Sequence, residues 1–103
     1  MDKNDFQTDT QYTLTIRDQS ESSRLHPADV YVMKLHENGL IVRMKGKDAI
    51  LRKIIYSDIV KIVKTIAIME QNRLYIPEAL LTEKNWQNRT EMAHYSSSPH
   101  SGK

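Results

Sequence analysis

Apolar and polar side chains alternate most clearly between residues 30 and 47, where the runs VYVMKL and LIVRMK lie on either side of Asn38-Gly39. An Asn-Gly pair between such runs predicts a two-residue type I′ hairpin, because that turn needs positive φ at both central positions. With Asn38 and Gly39 as the loop, Leu35 faces Val42, Met33 faces Met44 and Tyr31 faces Gly46. Tyr31, Met33, Leu35, Leu40, Val42 and Met44 then share one face and require a core. The opposite face sets Lys34 against Arg43 and continues with Lys45 and Lys47.

Upstream, residues 12–17 (YTLTIR) alternate with the period of a half-buried strand. Residues 18–24 are a polar connector, and Pro27 marks a loop into the hairpin. Downstream, Gly46, Lys47 and Asp48 signal a second turn. Residues 49–55 then form a third strand of a meander, with Leu51 opposite Val42 or Met44 according to the loop.

Residues 59–69 (IVKIVKTIAIM) satisfy two periods at once. Ile59, Ile62, Val63, Ile66 and Met69 fit one face of a helix, with Ser57 or Asp58 as N-cap. The density of β-branched residues favours strands instead, broken near Lys64 and Thr65. A helix there would give a three-stranded sheet with two helices. Residues 73–76 (RLYI) read as a short strand. Pro77 and Glu78 then open a helix running through Tyr95, with Trp86 as its anchor on the sheet.

Composition narrows the function more than the fold. Residues 1–11 and 96–103 are polar and aperiodic, and read as disordered tails around a single domain at 12–95. A core of that size is small, and self-association would help it. The chain has no cysteine, which removes disulfides and thiolate chemistry and suggests a reducing compartment. There is no signal-like segment and no apolar run near the roughly 20 residues of a membrane helix. The expectation is a soluble, cytoplasmic protein.

His26, His36, His94 and His100 share no ligand spacing, and no nucleophile or phosphate-loop motif is present. With three glycines in all, a phosphate-cradling loop is not expected. The chain therefore reads as non-enzymatic, with no metal and no cofactor.

The net charge of +2 conceals a gradient: residues 1–29 carry −3, residues 34–64 carry +5, and the remainder is balanced. Like charges directly opposite each other destabilise a sheet, and an anion relieves them. Lys34, Arg43, Lys45 and Lys47 are accordingly the candidate anion-binding residues, with Arg52 or Lys53 extending the face. The competing explanation is a solvated face that keeps the sheet from edge pairing. Tyr31 points to the other side, so this face lacks the aromatic platform for stacking single-stranded bases.

The order of elements suggests a relationship. Residues 55–59 (IYSDI), Ile62, and then Leu74-Tyr75-Ile76-Pro77 leading to Trp86 resemble bacterial pleckstrin-homology-like domains of the YcxB-like group, over residues 30–93. The resemblance implies a partly open β-barrel capped by a C-terminal helix, and a non-enzymatic binding or scaffold role. No site residue follows from it.

The expected fold is α+β, a small antiparallel β-meander or partly open barrel of five or six strands. It is curled around the hairpin's apolar face and Ile55, and packed by one C-terminal helix. The expected function is a non-catalytic binding or scaffold module acting on a protein partner or as a homo-oligomer. The alternative is an anion-binding module for nucleic acid or an acidic surface.

Overall fold

The computed structural model describes residues 1–18, 24–45 and 50–92. Six strands form one antiparallel sheet: β1 (Thr10–Asp18), β2 (Arg24–Leu35), β3 (Gly39–Met44), β4 (Leu51–Ile55), β5 (Ile59–Ala67) and β6 (Glu91–Met92). Their spatial order is β5-β1-β2-β3-β4-β6. The first four strands are the expected meander, and β5 returns to the far side of β1.

That return forces the sheet to roll. In a flat sheet β4 and β5 would lie four strand spacings apart, about 19 Å. Only the 3-10 turn Tyr56–Asp58 joins them, and four residue steps reach about 14 Å at most. The sheet therefore curls, although β4 and β5 do not pair and the barrel stays open.

Inside the curl lie Tyr12, Leu14 and Ile16 of β1, Val30 and Val32 of β2, Leu40 and Val42 of β3, Ile54 of β4 and Ile59 of β5. Phe6, from the segment read as a polar tail, plugs one end. It meets Tyr12 edge-on at 5.2 Å and stacks on Tyr56 at 6.0 Å between centroids. A 3-10 turn at Lys3–Asp5, closed by a capping box between Asp2 and Asp5, delivers it.

The hairpin forms, but in a different register. Leu35 faces Leu40, Lys34 faces Ile41, and Val32 faces Val42, with Met33 as an extra residue in a β-bulge. The bulge reverses the parity of β2, so Val30 and Val32 enter the core while Tyr31 and Met33 turn outward. Tyr31 then pairs with Arg43, and Lys34 and Arg43 are not opposite each other.

Neither Asn38 nor Gly39 adopts the left-handed conformation of a type I′ turn. His36 N–H donates to Gly39 O at 2.8 Å, which closes the loop over Glu37 and Asn38. Gly39 is needed for a different reason: a Cβ there would lie 2.7 Å from Ile54 O.

On β4, Leu51 faces Arg43 rather than Val42 or Met44. Ile54 is the core residue, and Ile55 is exposed. The second-turn residues Gly46, Lys47 and Asp48 lie outside the described residues. Pro27 is not in a loop but in β2, paired with Thr15. It is tolerated because β3 reaches only as far as Val30, so the other side of β2 needs no ladder N–H there.

Residues 59–67 are strand, and the double period has a simple origin. Two bulges against β1 make Val60 and Val63 extra residues. Each insertion stretches the repeat from two to three, so Ile59 and Ile62 face inward while Val60, Val63 and Ile66 face out.

The C-terminal helix is the largest correction. Residues 73–76 pair with no strand among the described residues. Glu78–Leu81 and Glu83–Trp86 are 3-10 turns, and Glu91–Met92 adds to the edge of β4. At 100° per residue, an α-helix would set Trp86 about 120° from Leu80 and about 140° from Leu81. The broken path lets all three reach the same sheet face. Residues 93–95 of the expected helix and the 96–103 tail lie outside the described residues.

This segment straps the outer face of the sheet, burying Ile41, Leu51, Leu81, Trp86 and Met92 together. Trp86 is the anchor, as expected from the sequence; its indole N–H donates to Leu80 O at 2.7 Å. His36 fastens the strap to the hairpin, with its Nε2 2.6 Å from Leu81 O.

Candidate binding surfaces

The four expected anion-binding residues do not form one cluster. Arg43 in β3 and Lys45, just past the strand's end, line a common cleft. Lys34 lies further along the hairpin and pairs with Glu78 of the strap at 2.7 Å. Lys47 lies outside the described residues. Arg52, Val42's partner on β4, and Lys53, opposite Ile41, do not line the cleft either.

The cleft, of about 280 Å³, opens between the hairpin and the chain leaving β5. Val30, Tyr31, Ile68 and Leu74 make its apolar walls, and Gln11, Asn72, Arg43 and Lys45 supply its polar groups. The bulge at Met33 is what puts Tyr31 on this side.

Three chain segments meet at the Tyr31 hydroxyl. It donates to Asp9 Oδ1 at 2.7 Å and accepts the Leu74 N–H at 3.0 Å. Burial, reinforced by the hydrogen bond to Asp9, pushes the phenol up to about 12, so it remains a donor at neutral pH. Asp9 is left-handed at φ 54°, and its own N–H donates to Val32 O at 2.9 Å. Aspartate tolerates that conformation better than most residues. The cleft wall is thus fixed by hydrogen bonds that exist without a ligand.

The second surface is the outer row of β5. No strand among the described residues pairs with the far side of β5. Along it Val60, Val63 and Ile66 are 42%, 57% and 40% exposed, and Met69, just beyond the strand's end, is 62% exposed. Lys61 and Lys64, both exposed, stand between them.

Neither Gln11 and Asn72 in the cleft nor this row could be read from the sequence. The residue types were visible, but their grouping depends on three bulges. Among the described residues no group of three or more His, Asp or Glu side chains could hold a metal ion, and no helix is long and apolar enough to cross a membrane. No protein-family model, curated protein or solved structure matches the chain.

Proposed function

We propose that the chain is a non-catalytic binding module of the pleckstrin-homology-like kind, acting through protein–protein contact on the outer row of β5. The observation that supports this reading is the row itself: Val60, Val63 and Ile66 are exposed on β5, an edge strand of the sheet among the described residues, with Met69 exposed just beyond its end. Single exposed apolar residues are ordinary, whereas a contiguous row points to a docking surface. An uninterrupted strand would turn Val63 to the same side as Ile59, so the bulges are what create the row.

Lys61 and Lys64 set the partner's chemistry: an apolar segment interleaved with aspartate or glutamate. Two copies of the row laid face to face would bring lysines together, which favours a different, acidic partner. Bulges and lysines also discourage simple strand addition, so contact is through side chains rather than a shared ladder.

Peptide display against the whole chain, counter-selected with a Val63→Ser/Ile66→Ser variant, tests this. Enriched peptides should combine apolar and acidic residues and bind the variant about tenfold or more weakly, with thermal stability unchanged. Peptides without acidic bias, or held equally by the variant, would refute the reading. Self-association lost in the variant would replace the partner with a second copy, and loss of adsorption to acidic vesicles would replace it with a membrane surface. Either result would also overturn the proposal.

A further inference from the structure

From the Arg43–Lys45 cleft we infer a binding site for a small organic anion, one carboxylate or phosphate group carried on a short apolar body. The inference does not depend on the β5 row.

Three observations carry it. Arg43, near the end of β3, and Lys45, just past it, both line the cleft. Such a pair draws in one anionic group. The walls beside them are apolar, formed by the Tyr31 ring, Ile68 and Leu74, so the rest of the ligand must be apolar too. At about 280 Å³ the cleft falls just under the roughly 300 to 1,000 Å³ usual for ligand sites, which limits the body to a short chain or a single ring.

The site is also preorganised. Tyr31 ties β2 to Asp9 and to Leu74 through its hydroxyl, so one wall needs no ordering when a ligand arrives. Gln11 and Asn72 at the margin offer amide donors to the oxygens that the cations leave unfilled. A polyanion such as duplex DNA fits less well. It binds through a track of phosphate contacts, and Lys34, the next cation along the hairpin, is held by Glu78.

Backbone amide NMR titrations of the whole chain with hexanoate, hexyl phosphate, hexanol and inorganic phosphate provide the test. Hexanoate or hexyl phosphate should give saturable shifts at Gln11, Tyr31, Arg43, Lys45 and Leu74. Hexanol and inorganic phosphate should bind at least about tenfold more weakly, since each lacks half of the recognition. Arg43→Gln and Lys45→Gln should each weaken the anion about fivefold to tenfold; Lys45 is exposed, so its variant reports on binding even if the other disturbs the fold. Acidic vesicles shifting the same amides, where the free amphiphiles do not, would place the head group on a lipid. Absence of saturation by any of these, equal response to hexanol or phosphate, undiminished binding in both variants, or tighter binding of a DNA duplex would overturn the inference.

Discussion

Replacing Gly39 with alanine places a Cβ 2.7 Å from Ile54 O and 3.1 Å from Ile55 Cα. Both neighbours are backbone atoms in the β3–β4 ladder, where Gly39 pairs with Ile55 and Leu40 with Ile54. Neither can swing aside as a side-chain tip would. Overpacking in a well-packed site costs about 1–3 kcal/mol, and rigid neighbours put this case in the upper half, about 2–3 kcal/mol. For a domain of this size that lowers Tm by roughly 10–20 °C.

The identity of the replacement distinguishes two reasons for the glycine. If Gly39 served a left-handed turn, asparagine would be the milder change, because it enters that region more readily than alanine. If close approach of β4 is the reason, asparagine is worse, because it adds more atoms to the same gap. Urea and thermal unfolding followed by circular dichroism on Gly39→Ala and Gly39→Asn measure both. Alanine within about 0.5 kcal/mol of the parent, or asparagine milder than alanine, would refute this reasoning.

Two further predictions address the strap and the buried phenols. Trp86→Ala removes the anchor of the outer cluster and should cost about 3–5 kcal/mol, whereas Trp86→Phe, which also loses the hydrogen bond to Leu80 O, should cost less; chemical denaturation gives both values. Tyr31 and Tyr56 are each pushed up to about 12, chiefly by burial, from an ordinary value of 10.0. The unfolded chain therefore ionises first, and their contribution to stability, fully present below pH 10, declines as pH rises from about 10 to 12. Absorbance at the phenolate band should show two tyrosines titrating late, together with falling Tm over the same interval; a Tm that stays flat there would contradict the assignment.

Much of the strand plan was legible because alternation reports it directly. β1, the two arms of the hairpin, β4 and the importance of Trp86 all follow from apolar spacing. What alternation does not report is an inserted residue. Met33 reverses the parity of β2, and that single bulge exchanges Val30 and Val32 for Tyr31 and Met33 as core residues. The same insertion opens Tyr31 to the cleft, whereas Lys34 and Arg43 are separated by the turn, which sets Leu35 against Leu40 and Lys34 against Ile41 before the bulge is reached.

In β5, two insertions turn a period of two into a period of three, close enough to 3.6 to imitate a helix. Gly39 carried a turn signal that was real in location and mistaken in cause. Phe6 could have been found: it is the sole phenylalanine, and the Asp2–Asp5 spacing before it matches a helix-start box. The C-terminal helix failed because Pro77 and Glu78 mark a helical start equally well for one 3-10 turn as for several α-helical ones. Only the divergence of Leu80, Leu81 and Trp86 around a helix argued against it.

The docking row requires Val63 to face outward. In a helix, Val63 shares the face of Ile59 and Ile62. In an uninterrupted strand it again shares the side of Ile59. The bulge at Val60 separates them, the bulge at Val63 keeps Ile66 on the outer side as well, and the docking row exists only with both. Because the chain has no cysteine of its own, alkylation of single substitutions Ile59→Cys, Val60→Cys, Ile62→Cys, Val63→Cys and Ile66→Cys in the folded protein measures this directly. Labelling should be fast at 60, 63 and 66 and slow at 59 and 62. Protection of position 63 together with 59 would contradict it, and the proposed binding surface would fall with it.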